Sequence, residues 1–116
     1  MEQRLIFACK NDDPELIAYC LREDAHTTDT LLCNEGLAVR LIVQHGRREV
    51  LTRFVDHYLR LAEEPHGYDT TEYNIQRFRL KRAIADALRS HDPGRDAWAY
   101  LRERQLVGDT GGPSQL

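Results

Sequence analysis

The sequence has 116 residues, enough for one domain with a hydrophobic core, and its 41% hydrophobic and 30% charged residues are typical of a globular protein. The formal net charge of −3 argues against wholesale binding to nucleic acid or to an anionic membrane. No apolar run approaches the roughly 20 residues that cross a bilayer, and the N-terminus lacks the basic start and long apolar segment of a signal peptide. The three cysteines have no metal-type spacing. We therefore expect a cytoplasmic protein that does not contact a membrane.

Residues 1–34 predict a first helical hairpin followed by a loop. Apolar side chains at residues 5–9 share one helical face. Asp13 and Pro14 then form a typical helix start, because an aspartate caps free amides and a proline suits the first helical position. An apolar stripe marks the second helix, and the Thr- and Asp-rich segment 24–34 after it predicts a loop.

Residues 35–61 predict a second hairpin, which turns at Gly46. Apolar residues spaced by three or four lead up to this glycine from Ala38, and a second such stripe begins at Leu51. Gly46 lies where the C-terminus of a helix favours a residue that is free to adopt a positive φ. Glu49 follows in the first turn of the next helix, where a carboxylate suits the helix dipole. The pattern predicts an αα-hairpin with a very tight turn.

The two predicted hairpins are related by an offset of 34 residues. This offset places Asp12 on Gly46, Glu15 on Glu49 and Cys20 on Phe54. A period in the low thirties, made of a helix–turn–helix unit and a loop, is typical of a solenoid array. The sequence therefore predicts repeated units.

Both turn regions resemble the centre of the ankyrin repeat, in which small residues precede an Asn-Gly turn and a Glu-Val pair follows it. The matching segments are Ala8–Leu16 and, more closely, Val43–Val50. Asp12 departs from the family by replacing the turn glycine, and the Thr-Pro-Leu-His opening of the family is absent. The resemblance covers about residues 3–60 and implies an all-α, short helical-hairpin solenoid with a helical C-terminal extension. A generic antiparallel helical bundle is the alternative.

A long helix is predicted over about residues 72–90, with Asp69 or Thr71 as its N-terminal cap. Its apolar residues, which include Ile75 and Phe78, do not form one narrow stripe. We therefore expect this helix to contact neighbours on more than one side.

The residue pair 92–93, Asp-Pro, predicts the start of a final helix that Gly108 ends. Because two repeats alone seldom bury enough surface, we interpret residues 72–106 as a divergent helical cap. The prediction is thus a single all-α domain of residues 1–106. Residues 107–116, which are polar and glycine-rich, are expected to form a flexible tail.

The sequence contains no recognisable catalytic, cofactor-binding or metal-binding motif. Its five histidines are scattered, without cysteine or carboxylate partners at the spacing of metal ligands. Cys33, in the polar segment, is the most plausible reactive thiol, but the neighbouring sequence offers no group that would activate it. No phosphate-binding loop, nucleophile elbow or zinc motif is present. We therefore expect no enzymatic activity, no cofactor and no metal.

The resemblance to ankyrin repeats implies a protein-binding adaptor or inhibitor that docks on a larger protein. Such solenoids bind through a concave surface and through loop tips. The predicted contact residues lie in the loops and at the second turn. They are His26, Thr27, Thr28, Asp29, Arg47, Arg48, Glu63, Glu64, His66 and Tyr68.

The alternative function is a small nucleic-acid-binding regulator. Its predicted binding face is a basic cluster on the long helix, made of Arg77, Arg79, Lys81 and Arg82. Clustered arginines and lysines bind phosphates. The same cluster is also compatible with an ordinary solvated helix face or with an acidic protein partner, since arginine is favoured at protein interfaces.

Overall fold

The computed structural model describes residues 4–23, 27–63 and 70–107, in which the chain forms seven α helices and no β strand. These helices are α1 (Arg4–Lys10), α2 (Pro14–Glu23), α3 (Thr28–Leu31), α4 (Cys33–His45), α5 (Arg48–Glu63), α6 (Thr71–Leu88) and α7 (Arg95–Glu103). The prediction of an all-α fold is confirmed. Within the described ranges, no helix combines the length and the apolar character needed to cross a membrane.

The two predicted hairpin turns are present, and each contains a residue in the left-handed conformation. Asp12 has a φ of 50° between α1 and α2. Asp13 then caps α2, because its Oδ1 accepts a hydrogen bond from the Leu16 amide at 3.1 Å. Gly46 ends α4 with a φ of 68° and a ψ of 24°. Asp12 and Gly46, which the offset of 34 aligns, therefore both have a positive φ.

The prediction of a loop over residues 24–34 is wrong in its second half, because α3 forms one helical turn there. The turn is stabilised by a capping box. Thr27 Oγ1 accepts from the Thr30 amide at 3.2 Å, and Thr30 Oγ1 accepts from the Thr27 amide at 2.7 Å. The residues 24–26 lie outside the described part of the chain.

Both C-terminal helices begin at other residues than predicted. Thr70 caps α6, because it is extended and its Oγ1 accepts from the Tyr73 amide at 3.2 Å; Asp69 lies outside the described residues. Asp92 does not cap α7, which begins at Arg95. Instead its Oδ1 accepts from the Gly94 amide at 2.9 Å and from the Trp98 indole Nε1 at 3.0 Å, which stabilises the preceding loop.

Helix α7 also ends earlier than predicted, at Glu103 rather than near Gly108. Gln105 then adopts a left-handed conformation with a φ of 57°. This turn lets Leu106 pack into the core, where it is buried. Residues 108–116, most of the predicted tail, lie outside the described residues.

By their contacts, we divide six of the helices into two sets, which we call rows, although α6 contacts both α4 and α5. In the first row, α1 and α6 both contact α4, and in the second row, α2 and α7 both contact α5. The rows contact each other through the pairs α1–α2, α4–α5 and α5–α6, while α3 contacts both α4 and α5. The core between them contains the buried side chains of Trp98, Tyr58 and Phe54, the largest of the fully buried residues. Each such side chain contributes about 1.5–3 kcal/mol by removal from water.

Candidate functional site

An open groove lies between the start of α4 and the C-terminal half of α6. Its volume is 590 Å³, and we call it the α4–α6 groove. It is lined by Leu32, Glu35, Gly36, Arg40, Arg79, Arg82, Ala83, Asp86 and Ser90. Within the lining, three arginines outnumber two carboxylates, but Asp29, which lies outside the lining, pairs with Arg79.

One wall of the α4–α6 groove has a strained backbone. Asn34, Glu35 and Gly36 follow one another in the left-handed region, with φ angles of 55°, 58° and 72°. This conformation costs about 1–2 kcal/mol for a residue other than glycine. Hydrogen bonds hold it, from the Gly36 amide to Leu32 O at 3.0 Å and from Arg40 Nη2 to Asn34 O at 3.2 Å. Backbone strain of this kind clusters at functional sites.

The predicted loop residue Asp29 meets the predicted basic helix at Arg79. Arg79 Nη1 donates to Asp29 Oδ1 at 2.6 Å and to Gln76 Oε1 at 3.0 Å. The hydrogen bond to Asp29 is the main cause that raises the pKa of Arg79. Tyr58 donates its hydroxyl to Gln76 O at 3.0 Å, and burial raises the pKa of Tyr58 to about 12. This network ties α3, α5 and α6 together.

Two large apolar side chains are exposed on α6. The exposed fraction is 48% for Ile75 and 63% for Phe78. Arg79 follows Ile75 by four residues and Arg82 follows Phe78 by four, so each apolar side chain has an arginine beside it on the helix surface. Helix α6 does contact two neighbours, α4 and α5, but this apolar pair faces solvent. The sequence indicated this exposure only indirectly, because Ile75 and Phe78 belong to a set of apolar residues that does not form one narrow stripe.

The four basic residues of α6 do not share one face. Residues 77 and 81 are one turn apart, and so are 79 and 82, but the two pairs point to different sides of the helix. Arg77 Nη2 donates to the carbonyl oxygens of Arg104 at 2.8 Å and Gln105 at 3.0 Å, at the end of α7. Only Arg79 and Arg82 line the α4–α6 groove.

The predicted arginines at the second turn contact the units on both sides of it. Arg47 Nε lies 2.9 Å from Asp12 Oδ2 in the first turn. Arg48 Nη2 lies 3.4 Å from Glu103 Oε2, and its guanidinium lies 5.7 Å from the centre of the Tyr100 ring. Both arginines are exposed and link neighbouring helices.

The other predicted contact residues are dispersed. Thr27 is exposed, and Thr28 begins α3 beside it. Glu63 lies at the end of α5 and lines a separate cleft near α7. The remaining four predicted residues, His26, Glu64, His66 and Tyr68, lie outside the described residues.

Over residues 4–23, 27–63 and 70–107, no group of three His, Cys, Asp or Glu side chains is placed to hold a metal ion. Cys9 is buried, and that burial raises the pKa of its thiol to about 12, with a smaller effect from Cys20. A thiol in this state is a poor nucleophile at neutral pH.

Comparison of the chain with known protein families, with curated proteins and with solved structures gives no significant match.

Proposed function

We propose that the chain is a small protein-binding module of ankyrin-like stacked hairpins, an adaptor or inhibitor that docks on a larger protein through the α4–α6 groove. We propose a cytoplasmic location as well, because no disulfide joins its three cysteines, as suits a reducing compartment.

The stacking proposal is supported by a burial pattern that recurs along the first row. Near the end of α1, α4 and α6, buried residues occur at the spacing i, i+3, i+4. They are Leu5, Ala8 and Cys9; Val39, Ile42 and Val43; and Ile84, Ala87 and Leu88. Helix α1 also buries Ile6. Equivalent helices in stacked units require such a register, although any helix with one buried face has this spacing, as Ile17, Cys20 and Leu21 do in α2.

Contacts between successive turns also support stacking. The ion pair of Asp12 and Arg47 joins the first turn to the second. The backbone of Pro93, before α7, lies against Gly46, so close that a Cβ on the glycine would meet Pro93 O at 2.7 Å. The loop before α7 therefore packs on the second turn, as a third turn would.

The observation that carries the binding proposal is the exposed apolar pair, Ile75 and Phe78, beside Arg79 and Arg82. Exposed aromatic and arginine side chains are enriched at protein interfaces, where they supply most of the binding energy. The arginines of the groove, which outnumber the carboxylates of its lining, fit an acidic partner segment that also presents an apolar side chain. We therefore propose an acidic, amphipathic segment of a partner protein as the occupant.

The test compares Phe78→Ala with Phe7→Ala in affinity capture from lysate with the tagged chain. Phe7 is a matched control, since 58% of it is exposed but it lies on α1. We expect at least one protein that the wild type and Phe7→Ala retain and Phe78→Ala loses, and about tenfold or more weaker binding when that protein is purified. Circular dichroism checks that both variants are folded. If the two variants retain the same proteins, the assignment of binding to the apolar pair beside the groove is wrong.

The nucleic-acid alternative is less well supported, because the four basic residues of α6 do not share one face and Arg77 already donates hydrogen bonds within the chain. The same affinity capture, washed at low and at high salt, distinguishes nucleic-acid binding from protein binding. Nucleic acid that is retained at low salt and lost at high salt would favour that alternative, since phosphate contacts weaken steeply as salt rises.

A further inference from the structure

A second cleft, with a volume of 480 Å³, lies between α2 and α5. It shares no lining residue with the α4–α6 groove. Three arginines line it, Arg22 from α2 and Arg53 and Arg60 from α5. Ala18 and Leu21 add an apolar part to the α2 side. The cleft is therefore both strongly basic and partly apolar.

The one carboxylate in the lining is engaged elsewhere. Asp56 Oδ1 accepts from the Tyr100 hydroxyl at 3.4 Å and lies 3.4 Å from Arg104 Nη2, both of which belong to the α7 region. Its negative charge is therefore shared with an arginine outside the cleft. Within the lining, the three arginines therefore carry more positive charge than Asp56 carries negative charge.

Two of these arginines have exposed carboxylate partners that lie outside the lining. Arg22 Nε lies 3.8 Å from Glu23 Oε1, and both side chains are more than half exposed. Arg53 Nη2 lies 3.3 Å from Glu49 Oε1 along the surface of α5, and both side chains are more than half exposed. Such a surface pair contributes little and is easily exchanged. Arg60 Nη2 lies 3.0 Å from Nδ1 of His57, which as an acceptor is a neutral partner. This contact orients the guanidinium without neutralising it.

We propose that this cleft binds a small phosphomonoester. A phosphate dianion has several terminal oxygens, and the planar fork of an arginine donates paired hydrogen bonds to them. Three arginines around one cleft suit a dianion better than a single carboxylate. The volume exceeds that of a phosphate ion and falls in the range of small-molecule sites, so an organic group beside Ala18 and Leu21 completes the occupant.

The test uses phenyl phosphate, inorganic phosphate and phenyl sulfate as probes, titrated into the 15N-labelled protein at low salt. We expect phenyl phosphate to shift the Nε–H signals of Arg22, Arg53 and Arg60 along one saturable curve. It should bind more tightly than inorganic phosphate, which lacks the apolar group, and than phenyl sulfate, which carries one charge fewer. Equal affinity of phenyl phosphate and inorganic phosphate would overturn the assignment of an organic ester.

Substitutions in the cleft test whether the cleft itself binds phenyl phosphate. The double substitution Arg22→Gln and Arg60→Gln should weaken phenyl phosphate about tenfold or more, as expected for lost charge-assisted hydrogen bonds. Arg89→Gln is the matched control, because its side chain is 77% exposed and lies outside this cleft. It should leave the affinity unchanged. Absence of saturable binding, or equal weakening by the control, would overturn the proposal.

Discussion

Replacing Gly46 by alanine tests the packing of the C-terminal loop on the second hairpin turn. Gly46 has a φ of 68°, a conformation that costs alanine about 1–2 kcal/mol. The new Cβ would also lie 2.7 Å from Pro93 O, a backbone atom that cannot move without shifting the loop before α7. Overpacking of this kind costs about 1–3 kcal/mol more. We therefore expect Gly46→Ala to lower the free energy of unfolding by about 2–5 kcal/mol.

Gly36→Ala is a matched control for the backbone part of this effect. Gly36 has a similar φ of 72°, but a Cβ there would lie 3.5 Å from the Cβ of Ala83, which is an ordinary contact. We expect it to cost only the conformational part, about 1–2 kcal/mol. The difference between the two variants isolates the contact of Gly46 with Pro93.

Urea denaturation followed by Trp98 fluorescence and circular dichroism measures both variants. A single domain of this size is stable by about 5–15 kcal/mol, so either variant is expected to fold and give a complete transition. Equal losses in the two variants, with unchanged slopes against urea, would refute the reasoning, because they would show that Pro93 does not press on the turn.

Three further predictions follow from buried groups. Asp92→Ala should destabilise the fold by about 1–3 kcal/mol in urea, because the indole N–H of Trp98 loses its acceptor; Asp92→Asn, which keeps an amide oxygen, should cost less. At neutral pH, Ellman's reagent should modify Cys33 alone, since the other two thiols are buried and the pKa of Cys9 is raised to about 12; modification of all three in the folded protein would contradict this. Burial raises the pKa of Tyr58 from 10.0 to about 12, so the neutral side chain stabilises the fold fully below pH 10.0 and this stabilisation is lost as the pH rises toward 12. Free energies of unfolding measured across that range test this, and the loss should be shallower in Tyr58→Phe.

The hairpin turns could be predicted because their signals are local. Asp13 followed by Pro14 caps the helix that begins there, and Gly46 takes the left-handed conformation at the end of α4. The same Asp-Pro signal failed at Asp92, because its carboxylate bonds the indole of Trp98 six residues later. A tertiary side-chain bond thus overrode the capping preference, and the sequence pattern alone could not reveal it.

The candidate site depends on contacts that no local pattern contains. Asp29 and Arg79 form their ion pair across 50 residues of sequence. Periodicity marks Phe78 as apolar but cannot show that α6 leaves it in solvent, because that depends on which side of the helix α4 and α5 cover. The left-handed run that ends at Gly36 contains one glycine, and the sequence offers no other signal for the left-handed conformation of Asn34 and Glu35.

The pairing of charges explains how an acidic chain presents arginine-lined surfaces. Several carboxylates are paired between units that are distant in sequence, as in Asp12 with Arg47 and Glu103 with Arg48. The linings of the α4–α6 groove and of the cleft between α2 and α5 contain more arginines than carboxylates. Asp29 and Glu49, which lie outside these linings, pair with one arginine of each. The net charge of −3 therefore describes the sum over the chain and not the field that a ligand meets at either site. Binding at each site should accordingly weaken with salt, although the protein as a whole is acidic.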